Sequence, residues 1–215
     1  MDEHTFIATA SINMHEPDVY CIKEDERKKY FEDKKKESEN YQVVDEIPYW
    51  FNGAHFINGN RTALFLIHTE PFTVNRITEP AFDVSDFIIH GTDVIYTGYK
   101  RKARELLFNQ LYQWNEKDGI QVLYEPMDYS ISSPFFLHEN LFVQASDMKE
   151  YGVNETAAIY EVKDGKLNYI LKPEVSLYNS IALDTTLGGN AGKRTDNDIF
   201  YTLATEDYKT VIYAY

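Results

Sequence analysis

The chain has 215 residues, 43% hydrophobic and 26% charged, the balance of a globular protein rather than a disordered one. Its formal net charge of −14 speaks against nucleic acid, which requires clustered Lys and Arg, and against an anionic membrane surface. Aromatic residues reach 15%, with 17 Tyr and 13 Phe, a composition that favours strands.

Cys21 is the sole cysteine, so the chain can form no internal disulfide and no thiolate metal cluster. Asp2, Glu3, His4, Glu16 and Asp18 interrupt the first apolar residues, so no signal peptide is read there. No run of about 18 apolar residues occurs to span a membrane. A reducing, cytoplasmic location is the expectation.

In chain order, His4 to Ser11 reads as a short buried strand, and Pro17 to Cys21 as the start of another. Lys23 to Glu39 is almost wholly charged. It reads either as a solvated helix with Glu/Lys pairs or as a mobile excursion. Tyr41 to Asn60 carries a strand at Val43-Val44, a stop at Pro48, and turns at Asn52-Gly53 and Asn58-Gly59-Asn60. Thr62 to Glu70 is a strand, and Thr73 to Thr78 returns antiparallel to it.

The next segment contains four strands: Phe82 to His90, Asp93 to Gly98, Glu105 to Trp114 and Ile120 to Glu125. A basic loop, Lys100 to Arg104, and an Asp118-Gly119 turn separate them. The same plan recurs in Ser130 to His138, Asn140 to Ser146, Thr156 to Lys163 and Leu167 to Leu171, with a turn at Asp164-Gly165. The last segment offers strands at Ser176 to Asp184, Asp198 to Thr205 and Thr210 to Tyr215, with a loop over Thr185 to Asn197.

Three landmarks share one period. Pro80, Pro126 and Pro173 close apolar runs 46 and 47 residues apart, the two Asp-Gly turns lie 46 apart, and Asp93 and Asn140 lie 47 apart. Four antiparallel strands per repeat of about 45 residues is the arithmetic of a β-propeller blade. The expected fold is therefore all-β: a partial propeller domain over residues 1–215. Its blades are expected at about 4–80, with the charged insertion at 23–40, then 81–126, 127–174 and 175–215. The first blade lacks its first strand and the last its fourth. These gaps do not complete one shared blade, which favours a segment of a larger propeller over a loosely closed four-bladed ring.

Direct signals for chemistry are few. Gly188 to Thr195 (GGNAGKRT) resembles a phosphate loop but has the wrong glycine spacing, with Arg194 between Lys193 and Thr195. No Gly-x-Ser-x-Gly elbow occurs. The six histidines, including His90 and His138 at equivalent points, show no metal-ligand spacing. No cofactor, metal or catalytic residue is expected. Asp83, Asp86, Asp128, Tyr129 and Tyr178 fall at the starts of first strands, where propeller side chains can line a central channel. Lys100, Arg101, Lys102 and Arg104 form a basic cluster, read as a solvated loop.

Asp45 to Gly53 (DEIPYWFNG), Arg61 to Ile67 (RTALFLI) and Asn75 to Thr78 (NRIT) resemble the propeller of prolyl oligopeptidase-family serine peptidases, in the acylaminoacyl-peptidase branch. Ile47-Pro48-Tyr49 and Asn52-Gly53 match that family's pattern, while His55 replaces a second glycine. The family's Ser-Pro-Asp-Gly phrase before second strands is degenerate here, as His90-Gly91 and His138-Glu139. The resemblance implies a non-catalytic lid that restricts a hydrolase site to short peptides. Its partners would be a downstream hydrolase domain, absent from this chain, and the peptide substrates. The alternative is a free-standing propeller module that binds a protein or carbohydrate.

Overall fold

The computed structural model describes residues 3–16, 18–19, 22–177, 193–196 and 198–215. Two compact units emerge: Met1–Val84 with Tyr99–Leu106, and Ser85–Gly98 with Leu107–Tyr215.

In the first unit, β1 (Thr5–Asn13), β4 (Asn60–Thr69) and β5 (Phe72–Arg76) form an antiparallel sheet in the order β1-β4-β5. Two short strands, β2 (Trp50–Phe51) and β3 (His55–Phe56), pair as a small hairpin. Strand β4 is the spine. Ala63, Leu64, Phe65 and Leu66 are all buried, so both faces of this apolar run are covered. The charged stretch forms a helix, α1 (Glu24–Glu37), with no buried residue. Its first turn carries Glu24, Asp25 and Glu26 and its last Lys34, Lys35 and Lys36, a distribution that complements the helix dipole. Glu16 anchors it through Lys34, whose Nζ lies 2.7 Å from the Glu16 carboxylate. This hydrogen bond holds the Lys34 amine above its ordinary range.

Two four-stranded antiparallel sheets follow the expected plan. One is β6 (Phe82–His90), β7 (Asp93–Lys100), β8 (Gln110–Asn115) and β9 (Gly119–Tyr124), in that order. The other is β10 (Ser130–Leu137), β11 (Asn140–Ser146), β12 (Ala158–Lys163) and β13 (Lys166–Leu171). A three-stranded sheet closes the chain: β14 (Lys193–Asp196), β15 (Ile199–Glu206) and β16 (Lys209–Ala214).

Face-to-face packing of these sheets builds the core of the second unit. Ile95 and Leu111 meet Ile131, Val143 and Ala145 in one cluster. Phe135 and Ile159 meet Phe200 and Ala204 in the next. The Phe135 and Phe200 rings stack with centroids 3.8 Å apart. Alternation along β11 sends Val143 and Ala145 to one neighbour and Phe142 to the other, so a single strand serves two cores.

Several local expectations change: β1 forms but carries no buried residue, and Val43-Val44 forms no strand. The strand expected from Glu105 begins at Gln110, because Ile47 captures the preceding backbone. Its N–H donates to Ala103 and its carbonyl accepts the Glu105 N–H, both at 3.0 Å. Most of Ser176 to Asp184 and of Pro17 to Cys21 lies outside the described residues. Lys193–Asp196, expected within a loop, pairs antiparallel with β15 instead. The two Asp-Gly turns also differ. Asp164 and Gly165 both take positive φ in a two-residue hairpin loop, whereas only Gly119 does so after a longer loop braced by Asn115.

Candidate functional site

Two clusters of charged groups involve residues singled out by sequence. In the first unit, Glu46 accepts two hydrogen bonds from the Arg61 guanidinium, at 3.0 and 2.6 Å, and one from the Gly59 N–H at 2.6 Å. Arg61 is fully buried. Burial alone would push the Glu46 carboxyl up. The Arg61 hydrogen bonds and the Gly59 N–H outweigh that and hold it below the usual carboxylate range. Arg101 approaches Glu46 and Asp83, each at 3.7 Å, and donates to the Pro48 carbonyl at 3.1 Å. The second Asp83 oxygen accepts the Thr62 N–H at 2.9 Å. Asp83 and Arg101 are therefore braces of a buried two-plus-two charge network. Arg101 is buried rather than solvated, unlike the reading of its basic loop. The buried Arg61–Glu46 pair had no separate sequence signal, because the partners are 15 residues apart across irregular chain.

The second cluster joins three edge strands of the second unit. Asp86 on β6 accepts the Ser133 N–H of β10 at 3.0 Å and the Lys193 ammonium of β14 at 3.1 Å through one oxygen. Its other oxygen accepts the Phe87 N–H at 2.8 Å. Ser133 sits at φ 47° where the β10–β11 register shifts, and that distortion turns its N–H toward Asp86. Lys193 belongs to the degenerate phosphate-loop motif, so the motif matters through a lysine that the phosphate-loop reading would not have used this way.

Elsewhere in the same unit, an aromatic group runs from Tyr124 through Tyr129 and Tyr160 to Tyr169, in successive edge-on contacts at 6.3, 5.3 and 5.8 Å. The Tyr124 hydroxyl donates to Asp128 at 2.8 Å. Burial first, then the Asp128 carboxylate, raises the Tyr124 phenol; burial and Tyr129 raise that of Tyr160. Asp128 and Tyr129 are thus brought together, Asp86 joins Lys193, and Tyr178 lies outside the described residues.

Two cavities accompany these clusters. In the first unit, a polar cavity of about 750 Å³ lies among α1, β1 and β4, lined by Asn13, Glu16, Phe31, Lys34, Asn58 and Asn60. Its amides brace the chain: Asn13 donates to the Asn58 carbonyl, and Asn58 accepts the Asp45 and Glu46 N–H groups. In the second unit, a smaller cavity of about 220 Å³ with a mixed polar and apolar lining lies against β6, β10, β14 and β15. Among the described residues, no group of three or more His, Cys, Asp or Glu could hold a metal ion. Among the same residues, no helix is long and apolar enough to cross a membrane.

This is an all-β architecture of antiparallel sheets in a propeller-like arrangement. Among solved structures, the chain is similar to the orthorhombic crystal form of Pyrococcus horikoshii acylaminoacyl peptidase, with TM-score 0.61 and 18% identity over 99% of this chain. It is also similar to an acylaminoacyl peptidase in complex with Z-Gly-Gly-Phe-chloromethyl ketone, at TM-score 0.60 and 18% identity. In both comparisons it spans 28% of the solved chain. At that identity the likeness is one of fold. No protein-family model matches the chain, and no curated protein matches it.

Proposed function

We propose that this chain is the non-catalytic, substrate-gating propeller portion of a serine hydrolase of the acylaminoacyl-peptidase and prolyl-oligopeptidase kind, acting on short peptides in the cytoplasm. The observation that carries the reading is the fold likeness over 99% of the chain to solved acylaminoacyl peptidases. The Ile47-Pro48-Tyr49 and Asn52-Gly53 signature supports it independently. In this reading the sheets are four blades bounded at about 80, 126 and 174, and β6, β10 and β14 are the innermost strands of theirs. Asp86, Asp128 and Tyr129 then face passing peptide, while Asp83 acts as a brace within the first unit. Catalysis belongs to a hydrolase domain elsewhere in the protein.

The test is a fluorophosphonate probe, which labels activated serines, applied to the complete gene product and to residues 1–215. Labelling of the complete product and none of the 1–215 chain is expected. Labelling of the 1–215 chain, or turnover of acyl-peptide chromogenic substrates by it, would overturn the assignment.

The polar cavity of the first unit favours a second reading, a propeller-like module that binds a protein or carbohydrate. A gene product with no activated serine, and with a glycan or protein ligand protecting Asn58 and Lys34 from exchange or modification, supports that reading instead.

A further inference from the structure

The smaller cavity of the second unit has one aliphatic and aromatic wall. Ile88 and Ile89 of β6, Pro134, Phe135 and Phe136 of β10, and Phe200 of β15 line it. Two stacked ring pairs stiffen it: Phe135 on Phe200 at 3.8 Å, and Phe136 on His90 at 3.8 Å. Stacked side chains cannot rotate independently, so the cavity is preformed rather than opened by its occupant. Its volume of about 220 Å³ suits one large apolar side chain and not a folded segment.

Lys193 and Thr195 of β14 complete the lining, and none of the described lining residues is a carboxylate. The Asp86 carboxylate holds the Lys193 ammonium in place, yet Asp86 is already served by two backbone N–H donors. An ammonium has three donor positions, and Asp86 accounts for one of them in the structure. Among the described residues, then, a Lys193 ammonium held by a single carboxylate adjoins an aromatic-walled slot.

From this pairing we infer that the cavity is a subsite for the C-terminal residue of a peptide. The apolar side chain fills the slot, and the α-carboxylate meets Lys193 with the Thr195 hydroxyl beside it. A charge-assisted hydrogen bond at the edge of an apolar wall is the chemistry that separates a free C-terminus from an internal peptide bond. The subsite would favour peptides that end in Phe or Leu over those that end in Lys, Asp or Glu. The inference rests on the peptide-gating reading for its substrate class, and on the cavity alone for its geometry.

The experiment measures binding of N-acetylated tripeptides to the 215-residue chain by calorimetry or amide NMR, comparing Ac-Ala-Ala-Phe with its C-terminal carboxamide and with Ac-Ala-Ala-Glu. The free Phe acid is expected to bind about tenfold more tightly than the amide, the scale of one charge-assisted contact. Lys193→Met should reduce the acid to the affinity of the amide. Ile89→Trp, at a half-exposed lining position, should weaken both by filling the slot. Circular dichroism and denaturation midpoints of the two variants confirm that they fold. Equal binding of acid and amide, or discrimination that survives Lys193→Met in a folded variant, would overturn the subsite. So would the absence of peptide binding even if the serine probe labels the complete protein. Acid-selective binding in a protein that the probe never labels supports the subsite and removes only the peptidase reading.

Discussion

The His90 imidazole lies 3.0 Å from the Glu139 carboxylate, and Glu139 occupies a hairpin turn in which both central residues have positive φ. His138, at φ 47°, pairs in turn with Asp198 at 2.8 Å, while Glu139 sits at φ 64°. His90, at the end of β6, and His138, in the turn between β10 and β11, thus each pair with an acidic residue of the next sheet. Non-glycine residues in this conformation cost roughly 1–2 kcal/mol each. The side chains retained there are the ones that make the cross-links.

Glu139→Gly should therefore leave stability unchanged or raise it by up to about 1 kcal/mol. Relief of the left-handed backbone outweighs an exposed ion pair worth about 0–1 kcal/mol. His90→Ala should destabilise more than Glu139→Gln, because it also removes the ring stacked on Phe136 at 3.8 Å. Urea denaturation of the variants checks the order.

Glu46→Gln should cost about 3–5 kcal/mol, since it strands a fully buried Arg61 guanidinium. The folded carboxyl lies below its ordinary value of 4.5, so the unfolded chain binds more protons there as the pH falls. The stabilisation is complete above about pH 4.5 and is lost as pH drops through the lower folded value. The difference between wild type and Glu46→Gln should shrink over that interval, measured by denaturation midpoints at successive pH. A constant difference would remove the linkage.

Gly59→Ala should destabilise by roughly 1–3 kcal/mol. Gly59 has φ 76°, and an added Cβ would stand 2.8 Å from the Asn13 amide and 2.9 Å from the His15 ring. Asn13 cannot swing away without breaking its bond to the Asn58 carbonyl. The loss should appear as a lower thermal midpoint. Gly53→Ala, at φ 83° with nothing within 4 Å of the added Cβ, should cost less.

Asp128→Asn should lower the titration of Tyr124, because the carboxylate both accepts from the phenol and opposes its ionisation. Burial persists, so the phenol should stay above its ordinary value of 10. Ultraviolet titration of phenolate absorbance reads this directly. An unchanged profile would mean that burial alone governs Tyr124.

Phe200→Ala should cost about 3–5 kcal/mol, as a fully buried ring stacked between sheets leaves a cavity. Tyr208→Ala, at an 86% exposed turn position, should be near neutral in the same assay.

Strand positions were legible because period-two apolar patterning and turn chemistry are local. The Pro80, Pro126 and Pro173 landmarks and the Asp118-Gly119 and Asp164-Gly165 turns mark a period of 46 to 47 residues along the chain. Local signals could also mislead. Glu105 to Asn109 looked like strand, yet Ile47 takes the backbone bonds of Ala103 and Glu105. Lys193 looked like part of a failed nucleotide loop, yet it begins a strand whose neighbours across the sheets include Asp86.

By itself, then, the sequence determined an acidic, strand-built repeat protein and the places where its chain turns, since each depends on residues a few positions apart. Tertiary structure alone decided which charges are buried, as with Glu46 and Arg61, and which polar and apolar groups adjoin, as with Lys193, Asp86 and the Phe135–Phe200 wall. Those pairings span from 15 to 107 residues of chain, and no local pattern encodes a partner at that distance. Burial and electrostatic pairing act through space, so they became readable only once the sheets were packed.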